Sequence, residues 1–181
     1  MAAYIGSIYA PDKVMMLRAA ALLHDVTKEY STERQLEICK EKCVELDADA
    51  CFAPKTLHAR TAAALIPEEY PEFADEEIIR CVRWHTTGRE GMTLEERIIY
   101  LADYIDMSRR FEDCVRLREY FFSAELQTMK ENERSAHLRR TLIMSYDMTM
   151  RGLLGEGLPI NRDTVAARNE LVREELASKL I

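Results

Sequence analysis

From residue 12 onward, apolar residues recur three and four positions apart, the period of helices that bury one face. In residues 12–25 the stripe is Val14, Leu17, Ala21 and His24, with Asp12 as the expected N-cap, so His24 and Asp25 fall at the helix's C-terminal end. Ser31 or Thr32 opens a second, amphipathic helix carrying Leu36, Cys39, Cys43 and Leu46 on one face. Residues 55–66 offer Leu57, Ala64 and Leu65 for packing, with His58 near the start and Pro67 as the expected stop. The segment 74–88 has an acidic first turn suited to the helix dipole, ends at Gly88 and puts His85 in its last turn. Thr93 caps the next, with Leu94, Ile98, Leu101 and Ile105 as core candidates and Asp103 close to its end. One long helix is predicted from 109 to about 132, another over 135–154, and a last from 163 to about 179. No repeat, low-complexity tract or linker divides the chain.

Composition agrees with an all-α, single-domain protein. The chain has 181 residues, 48% of them hydrophobic, with only six glycines and five prolines. A formal charge of -7 excludes broad attraction to nucleic acid but leaves room for a small anionic substrate, because local cations or bound metal ions can reverse the field inside a cleft. No apolar run approaches the roughly 18 to 20 residues that span a bilayer, and no leader pattern opens the chain, so no membrane partner is expected and the cytoplasm is the expected compartment. Five cysteines point to reduced thiols. Cys39, Cys43 and Cys51 lack a fourth partner for a metal.

Of the four histidines, His137 begins a charged stretch, while His24, His58 and His85 stand near helix ends with apolar neighbours. Each alone reads as an ordinary, partly buried histidine. The ordered set His24-Asp25, His58, His85 and Asp103, spread over four helices, reads differently. Imidazoles and carboxylates suit iron, manganese or zinc, and helical bundles build such sites from facing helices. Adjacent helical side chains diverge by about 100°. His24 can therefore bind one ion while Asp25, with two oxygens, reaches between two.

The strings "LLHDVTK", "LHARTAAAL", "HTTG" at 85–88, "IIYLADYIDMSRRF" and "TVAARNEL" resemble the HD-domain metal phosphohydrolases, and within them the YqeK-type symmetrical diadenosine tetraphosphate hydrolases. The resemblance spans 9–171. It implies one HD-domain helical bundle over 1–181, with 112–181 packed on the HD core and the N-terminal helix incomplete. It implies a dinuclear centre, with iron as the metal, held by His24, Asp25, His58, His85 and Asp103. Asp25 and Lys28 are then catalytic, and Lys28, Thr86, Thr87, Gly88 and Arg109 hold the substrate. Water would split diadenosine tetraphosphate at its centre into two ADP, while the physics of a two-ion site alone gives only phosphoanhydride or phosphoester hydrolysis. Arg89 and Arg110 read as solvated surface.

Two positions depart from the family pattern. The family carries a further histidine ligand well upstream of His-Asp, whereas none of the 23 residues before His24 is histidine, which leaves the expected shell one ligand short. Met107 replaces a proline. The alternatives are an HD phosphohydrolase of another nucleotide, such as a nucleoside monophosphate or a guanosine polyphosphate, and a metal-poor domain that binds nucleotide or a partner. Tyr120, Phe121 and Phe122 could cover the site or form a homodimer face.

Overall fold

Local chemistry settles where most of these helices begin and end. A computed structural model describes residues 1–46, 48 and 50–180, with Cys51 given by its backbone alone, and among the described residues every regular element is helical. The order is α1 (Ala2–Tyr9), α2 (Val14–Leu23), α3 (Thr32–Glu41), α4 (Leu57–Glu69), α5 (Glu76–Trp84), α6 (Leu94–Tyr104), α7 (Glu112–Phe122), α8 (Glu131–Gly155) and α9 (Arg162–Ala177), with short 3-10 turns between. Thr93 closes a capping box with Glu96 at the start of α6, and Ser31 accepts the Arg34 amide at the start of α3.

Several boundaries differ from the sequence reading; α5 ends at Trp84 with His85 as its C-cap rather than at Gly88, and α8 opens at Glu131 rather than 135. Asp12 lies inside a 3-10 turn, Pro11–Lys13, and α2 starts at Val14 without a side-chain cap. α4 runs through Pro67 to Glu69, because a proline in the last turn loses one amide bond while Tyr70 N still reaches Ile66 O at 2.9 Å. The expected long helix over 109–132 is interrupted after Phe122. There Ser123 Oγ donates back to Tyr120 O and Thr128 Oγ1 to Glu125 O, satisfying carbonyls that a continuing helix would use. α3 stops at Glu41, so Cys43 and Leu46 leave its stripe. Val44 N bonds to Cys39 O and Cys43 N to Lys40 O, the paired closure in which the residue after the cap is left-handed, and Cys43 takes that position at φ +53°. Of the three cysteines considered for a metal, Cys39 is buried and Cys43 exposed, and the side chain of Cys51 lies outside the described residues.

One core runs through these helices: Ile5, Leu17, Ile66, Val82, Ile99 and Leu101 meet Leu117, Leu142 and Leu171. The last helices lock onto the earlier ones through polar ties, Arg97 to Glu174 at 2.8 Å and Thr164 Oγ1 to Thr87 O at 2.9 Å. Phe121 is fully buried and stacks against Tyr9 and His137, while Phe122 packs on Tyr4; these rings therefore belong to the α1–α7–α8 packing, away from the site.

Candidate metal centre

His24 and His85 owe their usefulness to their place at helix ends. The last carbonyls of a helix have no intrahelical donor. His24 Nδ1 takes up Ala21 O at 2.8 Å and His85 Nδ1 takes up Val82 O at 2.7 Å. In each ring that bond makes Nδ1 the donor and leaves the Nε2 lone pair free to bind a cation. His58 comes from the first turn of α4, and Asp103 from the end of α6.

These side chains form two groups that share His85: His24, His85 and Asp103, and Asp25, His58 and His85, with the ligand atoms of each group within 4.8 Å of one another. Asp25 spans them. Its Oδ1 lies 3.2 Å from His58 Nε2 and 3.6 Å from His85 Nε2, while Oδ2 lies 3.3 Å from His24 Nε2. His24 Nε2 is also 3.6 Å from Asp103 Oδ1. All five sequence-predicted ligands thus converge.

The donor set fits a metal on the chain's own geometry. His24 Nε2 and Asp25 Oδ1 are buried and make no hydrogen bond. His58 Nε2 and His85 Nε2 face each other at 3.0 Å, where two lone pairs require a proton or a cation between them. Burial drives the His85 imidazole below its ordinary value, toward the neutral form that ligates. Burial opposes ionisation of Asp25 and Asp103 as well. The His24, His58 and His85 rings with Lys28 outweigh it at Asp25, and His24 with Arg109 does so at Asp103, so both carboxyls lie well below the usual range. For His24 the loss of water is outweighed by Asp103 and Asp25, which raise it to about 10. A metal held there would displace that proton.

A cation closes each end of this line. Lys28 Nζ pairs with Asp25 Oδ2 at 2.6 Å, and Arg109 Nη2 reaches both oxygens of Asp103 at 2.6 Å. The centre opens on a cleft of about 520 Å³, bordered by His58, His85, Asp103, Lys28, Thr86 and Arg109. Thr86 has a buried hydroxyl without a hydrogen bond and stands on this cleft. Thr87 and Gly88 do not. Thr87 gives its hydroxyl to Gly88 O, and Gly88, at φ +64°, is packed against Tyr146. A smaller cavity of about 100 Å³ borders His24 and Asp103 on their other side, and Asp106 lines it.

Three further residues build the site. Thr27, fully enclosed two residues beyond Asp25, donates to His58 O at 2.9 Å and meets Thr61 Oγ1 at 2.7 Å, so it ties the His-Asp turn to the helix that carries His58. Tyr30 and Lys55 line the cleft. Tyr30 alone carried a local signal, two residues after Lys28 on the same turn.

Known proteins similar to this chain point to one family. The model of the HD domain matches residues 1–108. A symmetrical bis(5'-nucleosyl)-tetraphosphatase of Halalkalibacterium halodurans is 30% identical over 94% of this chain and 83% of its own length. One of Bacillus subtilis is 34% identical over 84% of this chain and 74% of its own. A solved structure, of an HD superfamily hydrolase of Clostridium acetobutylicum described as involved in NAD metabolism, superposes with a TM-score of 0.79 at 30% identity, covering 96% of this chain and 84% of that one. The chain belongs to the HD domain family, alongside the symmetrical bis(5'-nucleosyl)-tetraphosphatases.

Proposed function

We propose that this chain hydrolyses diadenosine tetraphosphate at its central anhydride, consuming one water and releasing two ADP, with two iron ions held by His24, Asp25, His58, His85 and Asp103. Its place in the HD domain family makes it a metal-dependent hydrolase. The named activity of the Halalkalibacterium and Bacillus relatives supports the substrate. One observation carries the mechanism: the Asp25 carboxylate presents one oxygen to each of two ligand groups. Ions bound there lower the pKa of a water and neutralise phosphoryl oxygens.

The remaining work falls to the chain itself. His24 and His85 are fixed in the ligating tautomer by Ala21 O and Val82 O. Arg109 holds Asp103 in place and keeps further donors for a phosphate on the same side of the cleft. Lys28 acts as a point charge beside Asp25, and its exposure lets it swing to a substrate oxygen. Thr86 offers its unpartnered hydroxyl to the same polyphosphate. The small cavity beside His24 and Asp103, lined also by Asp106, would leave room for a further donor to an ion that those two residues would hold.

The test is a substrate panel with iron-reconstituted protein: diadenosine tetraphosphate, nucleoside monophosphates and guanosine polyphosphates. Diadenosine tetraphosphate should turn over with the highest kcat/KM. A higher value for another member would move the substrate elsewhere within the HD family.

A further inference from the structure

The cleft does not end at Arg109. It continues into an annex of about 300 Å³ that shares Tyr104, Arg109 and Thr149 with it and is walled further on by Phe111, Met148 and Gly152. Two of these residues work against local stability. Phe111 is the N-cap of α7, where a short oxygen-bearing side chain would satisfy an orphan amide, and it makes no capping bond. It is 73% exposed, and among the described residues no ring stacks on it. Gly152 lies within α8, where glycine is a poor helix former, and a Cβ there would meet no atom within 4 Å. An exposed ring and an open wall border one space, lined also by Cys114 and Asp113, and its exposed lining is mostly apolar, as a surface for a flat ring requires.

The annex also stands in register with the chemistry. Lys28 and Arg109 flank the line of ligands, one beside Asp25 and the other beside Asp103. Each is followed two residues later by an aromatic, Tyr30 on the main cleft and Phe111 on the annex. A substrate cut in the middle has two equal halves, each a charged diphosphate ending in a base. Two arms of cation then aromatic, on either side of the centre, match that chemistry.

We propose that the annex is the subsite for the second nucleoside of a dinucleoside polyphosphate, with its base laid on the Phe111 ring and its diphosphate turned past Arg109. This rests on the hydrolase reading above and adds to it the reason a dinucleotide is preferred to a mononucleotide.

The experiment compares diadenosine tetraphosphate with adenosine 5'-tetraphosphate, which lacks the second nucleoside, in the iron-loaded protein and its Phe111→Ala, Phe111→Trp and Gly152→Val variants. The ratio of KM for the dinucleotide to KM for the mononucleotide should rise at least fivefold in Phe111→Ala, the lower bound for loss of one base–aromatic stack. It should rise similarly in Gly152→Val, where the slot is filled, and return toward the original in Phe111→Trp. An unchanged ratio in Phe111→Ala, with its fold intact by circular dichroism, overturns the subsite. If the unaltered protein binds diadenosine tetraphosphate without cleaving it, the hydrolase reading fails alone, and the same ratio taken from Kd by calorimetry decides the annex. No binding of the dinucleotide overturns both.

Discussion

Gly88→Ala separates two roles for the "HTTG" turn, because the sequence points to Gly88 as a substrate contact and the structure places it under a tyrosine. A Cβ added at Gly88 would lie 2.0 Å from Tyr146 Oη and 2.9 Å from its Cζ, on a backbone at φ +64°. Left-handed backbone costs a non-glycine residue about 1 to 2 kcal/mol. Forcing a methyl into a packed core costs about 1 to 3 kcal/mol more, and Tyr146 has no room to yield, being fully buried and stacked on Tyr100 at 4.6 Å. The expected loss is thus about 2 to 5 kcal/mol, read from urea unfolding at constant slope. Tyr146→Phe removes the hydroxyl that meets the methyl. In the double variant the overpacking part should be recovered in part, giving a coupling of about 1 kcal/mol or more, while the backbone part stays. A Gly88→Ala protein within about 0.5 kcal/mol of the original, or a double variant that recovers nothing, would refute the packing argument. A raised KM at unchanged stability would return Gly88 to the substrate.

Three further outcomes are expected. His58→Ala and Asp103→Ala should each abolish turnover and lower the metal content per chain while circular dichroism stays that of the unaltered protein; full activity in either removes that residue from the centre. Lys28→Ala should lower kcat/KM by about 10- to 100-fold, less than loss of a ligand, since it removes a partner of Asp25 and one phosphate contact but no metal donor; an unchanged rate makes Lys28 a surface residue. Burial pushes the Glu175 carboxyl up, but the Arg139 and Arg140 guanidiniums outweigh it and hold it at about 2 against an ordinary 4.5. A lowered folded-state value stabilises above the ordinary value and is lost as pH falls. The unaltered protein should therefore exceed Glu175→Gln by about 1 kcal/mol at pH 6, with the gap closing between pH 4.5 and 2, as followed by denaturant midpoints; a gap that persists at pH 2 would contradict the ion-pair account.

What could be read from the sequence was what short-range chemistry decides. Thr93 with Glu96, Ser31 before α3 and the periodic faces of α2, α5 and α6 all act within a turn or two, and they placed His24, His85 and Asp103 at helix ends. The break after Phe122 was missed because apolar periodicity carries on across it, whereas Ser123 and Thr128 turn the backbone through bonds to their own neighbourhood. Thr27 gave no signal, since its value lies in Thr61 and His58 O, more than thirty residues away in the chain. Gly88 was seen to be needed, but the reason for it, Tyr146, arrives from α8. Arg109 was expected on substrate; the structure adds that it holds Asp103, a bond that depends on how the chain turns after α6. The annex beyond it was likewise invisible, because its opposite wall comes from Met148 and Gly152 on α8.

The most direct test of the central claim is chromatography of the products formed from diadenosine tetraphosphate by the iron-reconstituted protein. ADP as the sole nucleotide product is the expected result, because the two ligand groups joined by Asp25 lie between Lys28 and Arg109, and cleavage between equal arms falls at the central anhydride. ATP with AMP, or no product from protein shown to carry metal, would contradict it.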